Sequence, residues 1–429
     1  MDKKKMAILV GGGPAPGINS VISAATIRSV LSGSDVIGIL DGFKWISKGD
    51  ISRVTPLTIE SVSRIHFRGG SHIGISRENP TKDPKLLENV VTSLLRLNVD
   101  KLLTIGGDDT AYSAHCVDQK AHGRIRVAHV PKTIDNDLDL PHGISTFGFQ
   151  TARHVGVEIL KNIMVDGKTT SRWYFVVTMG RKAGHLAMGI GKAAGATLTL
   201  IPEEFVEGKI RLKNIVDILV GAIIKRLSYG RQDGVCVLAE GLVESLDPKD
   251  LSALENVERD AHDNIRIAEI NFGEILKSEV QKRLKGLGIK STIVSKNIGY
   301  ELRCADPIPF DMEYTRDLGH CAAQFLLNEG TGAMVSIQNY RFVPLYFKDI
   351  IDPKSNKMKI RMVDVSSEYY QIAQKYMIRL RKEDFTDAHE LAKLAAITNQ
   401  SMENFESQFS YLVGLGDGTS EKNSKEKDA

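Results

Sequence analysis

Short apolar runs alternate with stretches of helical periodicity through the first two-thirds of the chain, and this restricts the fold more than any other feature. The runs are Met6–Val10, Val36–Leu40, Lys101–Ile105, Arg126–Val130, Trp173–Met179, Ala196–Ile201 and Val235–Ala239. Uninterrupted apolar strands separated by helices describe βαβ units, hence mostly parallel sheets covered on both faces. At 429 residues the chain is long enough for more than one such sheet. The expected class is therefore α/β, and in open parallel sheets ligands collect outside the carboxyl ends of the strands.

Beyond those runs, Ala152, Val155, Ile159 and Ile163 recur at helical spacing between Thr146 and Met164, which suggests the opening of a second domain. A charge-rich segment, Asp247–Leu287, carries Phe272, Ile275 and Leu276 and reads as one or two amphipathic helices. Two further apolar runs follow, Ala333–Ile337 and Phe342–Phe347. The polar tail 417–429 has nothing to bury and reads as disordered.

Several function classes are disfavoured early. Net charge is only +3, so no global field points to nucleic acid or a membrane surface, and any anion site must be local. No apolar stretch approaches the roughly 18 to 20 residues that span a bilayer. The run after the N-terminal lysines is too short for a signal peptide and reads as a first strand. The four cysteines, Cys116, Cys236, Cys304 and Cys321, lack metal-ligand spacing, so free thiols in a cytoplasmic, reducing compartment are expected.

The chemistry-bearing residues cluster in the loops after the strands. Gly11-Gly12-Gly13-Pro14-Ala15-Pro16-Gly17 follows the first strand, where glycines let backbone amides approach a phosphate and a helix N-terminus adds partial positive charge. It matches neither a dinucleotide fingerprint nor a Walker loop, and by itself it is equally a tight strand-to-helix turn. Gly106-Gly107-Asp108-Asp109-Thr110 offers paired carboxylates that suit a hard cation such as Mg²⁺, or simply cap a helix. Pro131-Lys132-Thr133-Ile134-Asp135-Asn136-Asp137 in an extended conformation would set Asp135 and Asp137 on one side, with Lys132 and Thr133 nearby to receive a phosphate; a solvated turn also uses Asp and Asn. Arg172 and Arg181 flank the fifth run, Glu240-Gly241 closes the seventh, and Gly299–Arg303 adds an aromatic–cation cluster. Taken together these loops describe metal-assisted phosphoryl transfer.

In this order and over most of residues 6 to 345, the motifs resemble the phosphofructokinase family, specifically its pyrophosphate-dependent branch. They are the glycine loop 11–17, Arg68-Gly-Gly with Ile75-Ser76-Arg77, Gly106–Thr110, Pro131–Asp137, Met179-Gly180-Arg181, Glu240-Gly241 and Gly299–Arg303. The resemblance implies two Rossmann-like α/β/α domains with the active site in the cleft between them. Residues 1–146 with about 303–400 would bind pyrophosphate and Mg²⁺. Residues 147–302, with a helical insertion at about 247–287, would bind fructose 6-phosphate.

The implied reaction is phosphoryl transfer to the 1-hydroxyl of fructose 6-phosphate, a glycolytic step. Asp135 falls on the general base and Asp108 on the metal position. Gly12, Gly13, Arg77, Gly107 and Lys132 fall on the donor side. Thr133, Asp135, Asp137, Met179, Gly180, Arg181, Glu240, Tyr300 and Arg303 fall on the sugar-phosphate side, and Arg172 on a contact supplied across a subunit interface. A homodimer or homotetramer is implied, with no nucleic-acid partner.

Donor choice turns on Asp109 and Lys132, since ATP-using relatives carry glycine at the first position and usually at the second. A carboxylate at Asp109 would oppose an α-phosphate, at a cost of about 4 kcal/mol for one like-charge pair at ~4 Å and an effective dielectric near 20. Lys132 would supply compensating positive charge to the transferring group, so Asp109, Lys132, Thr133, Asp135 and Arg181 are the expected catalytic set. ATP-dependent transfer and a non-catalytic regulatory subunit of the same fold are the alternatives. Tyr300 replaces the histidine usual in ATP-using members, and Val294 occupies the register of an expected basic residue, with Lys296 nearby.

Overall fold

The computed structural model describes residues 4–141, 143–205, 210–252, 270–352 and 357–413. Two compact units emerge: Met1–Val155 with Tyr300–Arg361, and Gly156–Gly299 with the chain from Met362 onward.

The first unit is built on a seven-stranded sheet. From edge to edge its strands are Arg341–Tyr346, Ala333–Gln338, Arg126–Pro131, Val99–Gly106, Lys5–Val10, Asp35–Ile39 and Val54–Leu57. The five inner strands run parallel and the two edge strands antiparallel. Val99–Gly106 is buried along its whole length, as a central strand covered on both faces must be. Its neighbour alternates: Ala7 and Leu9 face a core with Val90, Leu94, Ala111 and Ala114 from helices Pro84–Arg96 and Asp108–Ala121.

The second unit has a four-stranded, all-parallel sheet in the order Leu198–Leu200, Gly234–Ala239, Arg172–Thr178, Thr292–Ile298. Helices His185–Ala194, Leu212–Ser228 and Phe272–Gly286 belong to it.

All seven strands expected in the first two-thirds of the chain form, within a residue or two of the positions expected, Leu198–Leu200 lying at the edge of its sheet. Two further strands carry weaker signals. Val54–Leu57 contains a proline, which an edge strand tolerates, and Thr292–Ile298 is a polar edge strand with three exposed positions.

The main difference concerns the C-terminal segment, expected to return to the first domain as far as about residue 400. From Met362 the chain instead groups with the second unit. Ile378 N–H donates to the Thr197 carbonyl at 2.8 Å, Lys225 and Asp384 form a buried 2.6 Å ion pair, and Leu391, Leu394 and Phe405 are buried. A buried ion pair with one partner removed leaves an uncompensated charge, so this attachment is costly to undo.

The second domain was expected to open at Phe147, but the unit boundary falls at Gly156, inside the continuous helix Phe149–Thr170. In the segment 247–287, helices Pro248–Ser252 and Phe272–Gly286 form, while residues 253–269 lie outside the described residues, as does the tail 417–429. Among the described residues no helix is long and apolar enough to cross a membrane. The four cysteines are free thiols, and Cys236 is fully buried.

Candidate active site

In the first unit, three loops leave the carboxyl ends of neighbouring parallel strands. Gly11 N–H donates to the Ile105 carbonyl and Gly12 N–H to the Ser76 carbonyl, each at 2.8 Å, which ties the glycine loop to the adjacent strand and to the segment bearing Arg77. Gly12 has φ +84°, where glycine avoids the steric penalty other residues meet. A methyl group on Gly12 would lie 3.4 Å from Lys132 Nζ, and one on Gly13 would lie 3.3 Å from Arg303 Nη1. The loop is therefore lined by two cations that come from far along the chain.

Lys132 stands at the centre. It is only 5 % exposed, and its Nζ donates to the Gly13 carbonyl at 2.5 Å. Burial pulls its pKa down to about 8; Asp135, Asp137 and Asp108 oppose that shift and Arg303 adds to it. Those carboxylates thus lie close enough to Lys132 to interact electrostatically, as does the guanidinium of Arg303. Its ring stacking partner is Tyr300, whose centroid lies 4.6 Å away and which is 71 % exposed.

The acidic loop opens helix Asp108–Ala121, with Gly107 at its N-cap. Both carboxylates thereby sit at the positive end of the helix dipole. Thr110 packs against the preceding turn so closely that a methyl group on Gly106 would lie 2.3 Å from Thr110 Cβ. The Gly106 carbonyl accepts from Lys132 N–H at 2.8 Å and from His129 Nε2 at 3.0 Å. His129 is wholly buried, and burial lowers its pKa to about 3. The ring is neutral, so with Nε2 as donor its Nδ1 accepts from the Thr104 hydroxyl at 2.8 Å. No motif marks His129 or Thr104; a histidine within an apolar strand, two residues ahead of Pro131-Lys132, is the signal that points to them.

The loop Thr133–Asp137 departs from the extended conformation expected for it. Asn136 adopts a left-handed backbone, φ +57°, so alternation cannot be what pairs the carboxylates. Thr133 organises them instead: its hydroxyl donates to Asp137 Oδ1 at 3.1 Å and accepts from Asp135 N–H at 3.0 Å. Thr146 reinforces the turn, with Oγ1 donating to the Thr133 carbonyl at 2.7 Å and N–H to Asn136 Oδ1 at 3.0 Å.

Asp109 is exposed, whereas Asp108 is half-buried. Solvent screens part of any repulsion at Asp109, and one like-charge pair at ~4 Å there costs between about 1 and about 4 kcal/mol.

In the second unit another cluster forms at strand ends. Gly180 has φ +126°, and Met179 packs so closely on Gly299 that a methyl group there would lie 2.6 Å from Met179 Cγ. A methyl group on Gly241 would lie 2.4 Å from the Arg181 carbonyl, so the Met179–Arg181 and Glu240-Gly241 turns touch. The exposed Arg181 side chain reaches Glu244, Nε to Oε1 at 2.5 Å. Arg172 begins strand Arg172–Thr178, so it lies at the opposite end of that strand from this cluster and is exposed.

The donor set can be tested against Mg²⁺. Among the described residues no group of three acidic, histidine or cysteine side chains forms a self-sufficient metal cage. Mg²⁺ keeps several waters and takes one or two carboxylates plus phosphate oxygens, so Asp108, at the start of its helix and within electrostatic reach of Lys132, suits it without such a cage.

The family model described as phosphofructokinase matches residues 5–326. The chain is 50 % identical over 417 residues to a pyrophosphate–fructose 6-phosphate 1-phosphotransferase of Naegleria fowleri, covering 95 % of each chain. It is 51 % identical, again over 417 residues, to the Thermotoga maritima protein of the same name, covering 96 % of this chain and 99 % of that one. Among solved structures, a pyrophosphate-dependent phosphofructokinase from Marinobacter aquaeolei superposes with a TM-score of 0.65 at 17 % identity, covering 87 % of this chain and 90 % of that one, a likeness of fold. A parallel α/β architecture, an ordered set of strand-end motifs and a family match over three-quarters of the sequence lead to one assignment: this chain belongs to the phosphofructokinase family.

Proposed function

We propose that the chain catalyses reversible phosphoryl transfer from pyrophosphate to the 1-hydroxyl of fructose 6-phosphate, giving fructose 1,6-bisphosphate and phosphate. The observation that carries this reading is the buried Lys132 ammonium, held on the Gly13 carbonyl and balanced by Asp108, Asp135 and Asp137. It occurs in a chain half-identical, almost end to end, to proteins named for that reaction.

In this reading Asp135 takes the proton of the 1-hydroxyl, the sugar oxygen forms its bond to one phosphorus of pyrophosphate, and the bridging P–O bond breaks to release phosphate. Lys132 neutralises charge on the transferring group, and Gly12, Gly13 and Gly107 let the backbone come close to the donor, with Arg77 alongside. Asp108 would hold Mg²⁺, which when bound neutralises phosphate oxygens. Asp137 and Thr133 keep the base in place. Met179, Gly180, Arg181, Glu240, Tyr300 and Arg303 would contact the sugar phosphate.

ATP as donor is the second reading, favoured only by the exposure of Asp109, which weakens the repulsion that would exclude a nucleotide. A non-catalytic subunit has no use for a base and a buried ammonium side by side. A cytoplasmic homo-oligomer belongs to the same proposal, supported by four free cysteines and by an exposed Arg172 available to a second copy.

The test is to incubate the protein with Mg²⁺, fructose 6-phosphate and pyrophosphate and follow the products by phosphorus NMR. Equimolar fructose 1,6-bisphosphate and phosphate are expected, and the reverse reaction should restore pyrophosphate. Hydrolysis of pyrophosphate without sugar phosphorylation would refute the assignment.

A further inference from the structure

Arg361 lies beyond residue 326, where the family match ends, and 225 positions from its main partner in sequence. Its side chain is nonetheless built into the Thr133–Asp137 loop. Nε and Nη2 both donate to the Asn136 carbonyl, at 3.2 and 3.1 Å, and Nη2 also donates to Asn136 Oδ1. Nη1 donates to the Ile144 carbonyl at 2.7 Å, and Arg361 N–H donates to the Asp137 carbonyl at 2.8 Å. The neighbouring Ile360 forms an antiparallel bridge with Leu138. Asn136 is the left-handed residue between Asp135 and Asp137, so the guanidinium grips the pivot that separates the two carboxylates. A planar fork of five donors meets this cluster of carbonyls in a way that an ammonium cannot.

We propose that Arg361 is a positioning residue for phosphoryl transfer: it locks Asn136 in the left-handed conformation and thereby fixes the Asp135 carboxylate where it can take the acceptor proton. The proposal rests on the reading of Asp135 as general base. Arg361 acts through Asn136, and misplacing a catalytic group by about 1 Å can cost about 100-fold in rate.

The test compares Arg361→Lys, Arg361→Ala and Asn136→Gly with the wild-type protein, using whichever donor the wild type turns over, so that a wrong donor assignment leaves the comparison intact. Arg361→Lys keeps the charge and loses the fork; its kcat should fall at least about tenfold, while KM for the sugar phosphate stays within about threefold. Arg361→Ala should lose about 100-fold and regain part of its rate with millimolar guanidinium, whereas Asp135→Asn should not respond to guanidinium. Amide hydrogen exchange supplies a readout independent of turnover: Arg361→Lys and Asn136→Gly should exchange faster over residues 133–146 and unchanged over the second unit.

Wild-type kcat in Arg361→Lys, or no change in exchange over residues 133–146, would overturn the proposal. If Arg361→Ala does not fold, the lysine variant decides. If the wild type shows no phosphotransfer at all, the function reading fails and the exchange experiment still decides whether Arg361 holds the loop.

Discussion

Lys132 Nζ donates a 2.5 Å hydrogen bond to the carbonyl of Gly13, which joins the loop after one central strand to the loop after another across 119 residues of sequence. This contact brings a buried ammonium onto the glycine loop proposed to receive the donor phosphate. It also makes the protonation of Lys132 a control point.

Because burial lowers the Lys132 pKa to about 8, the charged form prevails below that pH and is lost above it. The ratio kcat/KM for the donor reports on the free enzyme and should therefore fall about tenfold per pH unit above pH 8. Lys132→Met should lose about 100- to 1,000-fold in kcat and show no such limb. A wild-type profile flat from pH 7 to pH 10 would contradict this.

The loop around Asp135 is held through its backbone and its neighbour: Asp135 N–H donates to the Thr133 hydroxyl and Thr146 N–H donates to Asn136 Oδ1, contacts that an asparagine at position 135 would keep. Removing the charge of Asp135 should therefore affect proton transfer more than folding. Asp135→Asn is expected to lower kcat by about 100- to 10,000-fold with KM for fructose 6-phosphate changed less than about threefold. Equal losses in both constants would reassign Asp135 to binding.

His129 gives a stability prediction. Its pKa in the folded chain, about 3, lies below the usual histidine value because burial penalises the charged ring. The unfolded chain thus binds the extra proton first, and stability present above about pH 6.5 is lost as pH falls towards 3. Between pH 7 and pH 5 the loss from this residue is about 2 kcal/mol. Urea unfolding at the two pH values measures it, and His129→Phe should reduce the difference by a similar amount. The same variant frees the Gly106 carbonyl of one donor, so KM for the donor should rise while KM for the sugar phosphate does not.

Much of this was legible in the sequence because parallel strands buried on both faces must be continuously apolar, and Val99–Gly106 and Gly234–Ala239 are. The loops following them were legible for the same reason, since the end of each apolar run marks where a strand stops and its loop begins. Thr292–Ile298 was not, because an edge strand half open to solvent has no apolar run to show. Nor was the turn at Asn136: Asp-Asn-Asp reads equally as extended or folded, and the guanidinium that decides it is supplied by Arg361. The attachment of the C-terminal helices to the second unit depends on side-chain pairs such as Lys225 and Asp384, 159 residues apart, which no local pattern announces.

Selection of a two-phosphate donor by Lys132 and Asp109 is read from the ratio of kcat/KM for pyrophosphate to that for ATP, measured on one preparation with saturating fructose 6-phosphate and Mg²⁺. With Asp109 partly screened, a repulsion of about 1 to 4 kcal/mol predicts a preference for pyrophosphate between about 5-fold and 1,000-fold, shrinking in the Asp109→Gly, Lys132→Gly double variant. A wild-type ratio at or below one would contradict it.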